Sequence, residues 1–387
     1  MKYMGSKRWM LSNGLGSLLV EQSRIAERFV DLFSGTAVVS WHVAQQVEVP
    51  VLSVDLQTYS AVLARSVIGR TKDFDGVRIA GEWTSRATTL RSDSKLWRQA
   101  CEIDPTVLKA EDVDEARKLC ARSNGLVTNA YGGYYFSPQQ AITADALLKT
   151  LPRREPHRSI CLATLIWSLT RCVASPGHTA QPFQPTDSAL PFIRNSWSRD
   201  LFTTCRDVLP EIARRSAKTR GSAVVGDAIT VASKEVRAGD LVFLDPPYSS
   251  AQYSRFYHVL ETVARGSCGP VAGGGRYPPA VDRPRSLFSL VSQANDALAE
   301  LMSALGHSGC RVVMTFPQHE CSNGISGEGI IAMAREWFEI DVTSVRTKHS
   351  TLGGNNAKRA SRRSGTELIL SMHPRRSRSS SARSAIV

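Results

Sequence analysis

Long apolar runs are missing from this chain. No segment of its 387 residues reaches the roughly 20 apolar residues that a membrane-spanning helix needs, and the N-terminus carries no signal-peptide core. Lipidation signals and a basic amphipathic anchor are missing too. Those absences argue against a membrane association and lead to the expectation of a cytoplasmic protein. Cysteine occurs at Cys101, Cys120, Cys161, Cys172, Cys205, Cys268, Cys310 and Cys321, but no two have the close spacing of a zinc site. The expected chemistry is therefore free of metal, and the thiols read as reduced core residues. Acidic residues fall short: 35 Asp+Glu face 48 Lys+Arg, for a formal net charge of +13. A surplus of that size favours a polyanionic partner, through counterion release from phosphates; a basic surface with no dedicated partner is the plainer alternative. Length and a hydrophobic content of 42% suit a globular chain with a large core and two domains.

The most informative segment is Leu241-Val242-Phe243-Leu244-Asp245-Pro246-Pro247-Tyr248. A short apolar run after Gly239-Asp240 reads as a buried strand. Two prolines end it, because they fix φ and remove two backbone donors. The strand thus delivers an acceptor, a rigid elbow and an aromatic plate to one point, as a site for a flat heteroaromatic ring requires. On these residues alone, a turn with a buried tyrosine is an equal reading.

Arg28-Phe29-Val30-Asp31-Leu32-Phe33-Ser34-Gly35-Thr36 is a second strand ending in a carboxylate and a small-residue turn. Val38 to Ala44 follows as a helix, then Val51-Leu52-Ser53-Val54-Asp55 as a third strand ending in an acid. Strand, tight turn, helix, strand, acid is the front half of a doubly wound nucleotide-binding sheet, with Asp55 where it can accept from ribose hydroxyls.

These motifs, preceded by Lys2-Tyr3-Met4-Gly5-Ser6-Lys7, stand in an order that resembles the Dam-like adenine-N6 DNA methyltransferases of the alpha group. Tyr253-Ser254 and Tyr257-His258-Val259-Leu260-Glu261-Thr262 are similar to that family's helix after the catalytic tetrapeptide. Tyr131-Gly132-Gly133-Tyr134-Tyr135-Phe136-Ser137 and Gly177-His178-Thr179-Ala180 are similar to segments of a subset of it. One departure is Ala37, where the family has a second glycine. The resemblance implies an α/β fold: a doubly wound, Rossmann-like S-adenosylmethionine-dependent methyltransferase sheet with an inserted, mainly helical target-recognition domain. It implies a catalytic domain at 1–69 and 221–373, a DNA-reading insert at 70–220 and a disordered basic tail at 374–387.

The resemblance also implies roles. Asp245, Pro246, Pro247 and Tyr248 are the expected catalytic residues. S-adenosyl-L-methionine is the expected cofactor, held by Tyr3, Lys7, Asp31, Phe33, Gly35, Asp55, Asp227 and Asp245. Of these, Asp31, Phe33 and Gly35 would line its methionine end, Asp55 its ribose and Asp227 its adenine. Read alone, Lys2 and Lys7 are ordinary surface lysines, Tyr3 is a core aromatic, and Asp227 is equally a helix N-cap. The expected partner is double-stranded DNA, in a restriction–modification system with a cognate restriction endonuclease, in a phage or as an orphan methylase. Cytosine-N4 methylation is the nearest alternative, and aspartate at 245 favours adenine over it. A non-catalytic DNA-binding module that keeps the fold is the alternative outside enzymes.

Elsewhere, Trp9 to Leu19 and Gln57 to Ile68 suggest helices, and Ile160 to Trp167, apolar nearly all round, a central helix of the insert. Pro182 to Pro191 reads as a loop, and Gly266 to Gly275 as a flexible one able to close over DNA. Apolar spacing over Ser286 to Leu305 predicts one crossover helix. Arg311–Phe316, Phe338–Val342 and Glu367–Met372 read as the remaining strands, with Lys358, Arg359, Arg362 and Arg363 in a basic loop between the last two.

Overall fold

The computed structural model describes residues 7–350 and 362–375, with the backbone alone at 347–350 and 362–364. Seven strands form one sheet: β1 (Arg28–Asp31), β2 (Val51–Asp55), β3 (Ser222–Val225), β4 (Asp240–Leu244), β5 (Arg311–Pro317), β6 (Phe338–Ser350) and β7 (Arg362–Pro374). Their order is β3-β2-β1-β4-β5-β7-β6. Pairs among β1 to β5 are parallel, and β7 is antiparallel to both β5 and β6. β7 therefore runs alone against the other six. The chain winds outward from β1 through β2 to β3, then returns to β4 beside β1. That reversal opens a crevice at the carboxyl ends of β1 and β4.

Alternating side chains feed two apolar layers. Phe29, Leu241 and Phe243 join one layer, and Val30, Val242 and Leu244 the other. The second layer is closed by the helix Ala294–Ser308, through Leu298, Leu301 and Leu305. The first is closed by helices before β3, including much of the stretch between Gly76 and Ala213. That stretch holds eight helices and no strand: Gly76–Ser92, Lys95–Glu102, Ala110–Ala121, Leu126–Tyr131, Pro138–Lys149, His157–Cys172, Leu190–Trp197 and Leu201–Ala213. Helix His157–Cys172 buries Ser159 through Leu169 without a break, because it lies between Leu201–Ala213 and the helix Thr58–Ile68. Its all-round apolar character follows from that position.

Several sequence expectations are corrected. The N-terminal helix is broken at Asn13 and Gly14, whose backbones leave helical values, and resumes at Gly16–Ser23. The proline-rich loop ends at Ala189, and Pro191 sits in the first turn of Leu190–Trp197, where a missing N–H costs nothing. The helix expected from Ser286 starts only at Ala294. Before it, Leu287 and Val291 face solvent, Leu290 is half-buried, and Phe288 and Ser289 turn inward, so the apolar spacing there does not mark one face. Arg362 and Arg363 belong to β7, paired opposite Ser350 and His349; Lys358 and Arg359 lie outside the described residues. β7 reaches Pro374, one residue into the stretch assigned to the tail, and the rest of that tail beyond residue 375 lies outside as well. The Gly266–Gly275 loop is tied down at its C-terminal end. The Gly275 carbonyl lies 2.9 Å from Tyr135 Oη, and the neighbouring Arg276 donates to the Ala130 and Asn129 carbonyls at 2.8 and 3.0 Å.

Candidate active site

The crevice is a pocket open to solvent. Its wall brings together Lys7, Asp31, Phe33, Gly35, Asp55, Asp227, Asp245, Pro246, Pro247 and Tyr248. Those are all the sequence-selected site residues except Tyr3, which lies outside the described residues. They meet because β1 and β2 each end in an acid and β4 is followed at once by one, and parallel strands end on one side of the sheet.

Asp31 closes β1 and is buried. Its Oδ2 accepts from Ser40 Oγ at 2.7 Å, while Oδ1 has no hydrogen-bond partner. Burial pushes this carboxyl up to about 7, against the opposing pull of Ser40. Asp55 closes β2 and accepts from the backbone N–H of Gly35 at 2.8 Å and of Gln57 at 2.9 Å. Burial raises it to about 6, and these two donors moderate the rise. Asp55 thus buttresses the glycine turn. That turn uses two left-handed residues, Gly35 at φ 51° and Ala37 at φ 59°. Asp227 caps the helix Ala228–Glu235, its Oδ1 accepting from Ile229 and Thr230 N–H at 3.0 Å. It is a helix cap and a pocket-wall residue at once.

Asp245 follows β4. Its Oδ1 is 3.0 Å from Lys7 Nζ and accepts from Thr315 Oγ1 at 3.2 Å. Burial raises its pKa to about 6, opposed by the Lys7 ammonium. Lys7 also pairs with Glu367 of β7. Burial works against the charge of Lys7, but the two carboxylates outweigh it and hold the ammonium above its usual range. The Tyr248 ring stands edge-on to Phe316, with centroids 6.3 Å apart, and Lys7 Nζ is 5.8 Å from its centre.

Sequence reasoning missed three supports. Buried Asn323 donates through Nδ2 to the carbonyls of Pro247 and Phe288, both at 2.9 Å, and so holds the proline elbow. Its surroundings in the sequence carry no motif. Thr315 was legible only as a strand residue. Glu367 had one signal, an acid opening an apolar strand run.

The motifs outside the pocket also converge. The Tyr131 and Tyr135 rings flank His258 at 5.6 and 5.8 Å. Tyr135 Oη donates to the Thr179 carbonyl at 2.6 Å, and Thr179 N–H to the Phe256 carbonyl at 2.7 Å. Burial pushes His258 down to about 4, so it is neutral near pH 7. All eight cysteines are free. Among the described residues, no group of three or more His, Cys, Asp or Glu could hold a metal ion, and no helix is long and apolar enough to cross a membrane.

A family model described as D12 class N6 adenine-specific DNA methyltransferase matches residues 3–95 and 210–269. The chain belongs to this family. The two matched blocks carry every pocket acid discussed above, together with the proline elbow, while Glu367 lies outside them. The stretch 96–209, outside the match, holds most of the insert helices. No curated protein matches the chain. As a member of the D12 class the protein is a methyltransferase acting on adenine in DNA.

Proposed function

We propose that the protein methylates the N6 amine of adenine at a specific site in double-stranded DNA, with S-adenosyl-L-methionine as donor, after swinging the base out of the duplex. The observation that carries this reading is the meeting of Asp31, Asp55 and Asp245 in one pocket beside the proline elbow. The pocket suits the cofactor's polar groups. Asp31 Oδ1, Ser34 Oγ and Gln57 Oε1 are buried wall atoms without a hydrogen-bond partner, and an unmet buried acceptor costs about 1–3 kcal/mol. An ammonium or hydroxyls would satisfy them. Asp31, Phe33 and Gly35 hold the methionine end in this reading, Asp55 the ribose and Asp227 the adenine, with Tyr3 and Lys7 contributed by the N-terminal segment. Bound there, the cofactor would supply an electrophilic methyl carbon.

Adenine's amine is a poor nucleophile because its lone pair is delocalised into the ring. Asp245 and the Pro246 carbonyl accept its two N–H bonds and draw the nitrogen toward a tetrahedral shape. Tyr248 stacks on the base. With the cofactor bound, the nitrogen would take the methyl in line as its bond to the sulfonium breaks and a neutral thioether leaves, and Asp245 would take the proton that the nitrogen sheds. Orientation and a preorganised polar site supply the rate. The amine is out of reach inside a duplex, so the base must flip, at a cost of a few kcal/mol. The insert helices between Gly76 and Ala213 are assigned to reading the target sequence, and the +13 net charge to holding the duplex. The family match favours adenine over cytosine-N4. Such an enzyme works in the cytoplasm, where DNA and cofactor meet.

Asp245→Ala tests the reading. Transfer of labelled methyl from S-adenosylmethionine to DNA should fall by about 10³ or more, with cofactor and DNA binding retained within a few-fold. Wild-type turnover in this variant, or no N6-methyladenine in DNA exposed to the native protein, overturns it.

A further inference from the structure

A buried ammonium sits between two carboxylates drawn from distant parts of the chain. Lys7 pairs with Asp245 at 3.0 Å and with Glu367, and Lys7 and Glu367 are only 5% and 6% exposed. Glu367 stands on β7 opposite Pro317 of β5. The proposed transfer gives Asp245 and Lys7 work to do and leaves Glu367 none.

Charge decides what it can do. Lys7 with Asp245 alone is a neutral pair: the ammonium would occupy the carboxylate's lone pairs and repel the positive charge that grows on the amine nitrogen. Adding Glu367 makes the cluster one negative charge in excess, which matches the one positive charge that the amine acquires as the methyl arrives. In a buried site such a difference is screened little.

We infer that Glu367 is a positioning residue for methyl transfer: it draws the Lys7 ammonium onto itself, so that Asp245 keeps an uncancelled negative charge for the target amine. This inference rests on the proposed function. Lys7 approaches Asp245 from the N-terminal segment, Glu367 from β7, Thr315 from β5, Asp31 from β1, and Tyr248 and Tyr253 from the segment following β4. Lys7 and the Thr315 hydroxyl favour the ionised Asp245, and Glu367 opposes it.

The test is Glu367→Gln, isosteric and uncharged. In the free protein, the Asp245 carboxyl is titrated by carbon-13 NMR. Its midpoint should move below the wild-type value, because a neighbouring negative charge is gone. Single-turnover methyl transfer should fall roughly 10- to 100-fold with cofactor and DNA affinities within about threefold, and the acid limb of its pH profile should move the same way. Glu367→Asp, which keeps the charge, should hold the midpoint and recover most of the rate. An unmoved midpoint, or a wild-type rate, overturns the inference; so does a rate loss that Glu367→Asp shares in full, which marks a merely structural brace. Where Glu367→Gln fails to fold, Lys7→Met/Glu367→Gln against Lys7→Met gives the same titration comparison without an unpaired ammonium. A native protein that transfers no methyl sinks the proposed function, while the titration still decides the role of Glu367.

Discussion

Ala37 holds a backbone conformation (φ 59°, ψ 17°) that glycine adopts freely and alanine does not. It is fully buried and N-caps the helix Val38–Gln46, with its N–H on the Ser34 carbonyl at 2.7 Å. The turn therefore holds an alanine where its backbone favours glycine. Ala37→Gly should stabilise the protein by about 1 kcal/mol, read as a higher denaturant midpoint at unchanged slope; a lower midpoint would show that no strain resides there. Asp31 makes a second prediction at this scale. Its folded pKa of about 7 lies above the ordinary aspartate value of 3.8, so the stability it contributes is present below the lower value and lost as pH rises through the upper one. Asp31→Asn should therefore be more stable than the native protein at pH 8. The gap should shrink by roughly 1.4 kcal/mol per pH unit on acidification between those values. A pH-independent gap would mean that burial does not set this ionisation.

At the scale of elements, helix His157–Cys172 joins the helices between Gly76 and Ala213 to the sheet. Trp167 stacks on Trp41 of the catalytic helix Val38–Gln46, with centroids 6.0 Å apart, and Leu165 lies in the same apolar layer as Phe29 and Phe243. Leu165→Ala should cost about 2–5 kcal/mol. The loss should appear in one unfolding transition, seen alike by tryptophan fluorescence and circular dichroism; two separate transitions would show that insert and sheet unfold independently. This helix was legible because the run from Ile160 to Trp167 is apolar on every side, and such a helix must be surrounded by protein. The stretch Ser286 to Val291 was misread because a short apolar spacing looks helical whether or not its side chains share a face. The reach of β6 and β7 was missed for a related reason: beyond Val342 the strands are paired by backbone hydrogen bonds, and their polar side chains gave no alternation to read.

At the scale of the whole molecule, the sequence alone determined the local patterns that line the pocket. An apolar run broken by Asp245-Pro246-Pro247-Tyr248, a glycine turn after Asp31 and an acid at Asp55 are local patterns. Strand, turn and acid signals of this kind depend on neighbours within a few residues. Their shared location also followed from the sequence, since parallel strands in a doubly wound sheet end at one crevice. Only the tertiary structure decided which distant groups answer those local ones. Lys7 and Glu367 are separated by 360 residues, and Asn323 reaches Pro247 across 76. No periodicity records such pairings, because they come from the reversed β7 strand and the loop after β5 being folded back over the pocket. A buried charge declares its partner only in three dimensions, where the cost of leaving water makes the partner necessary.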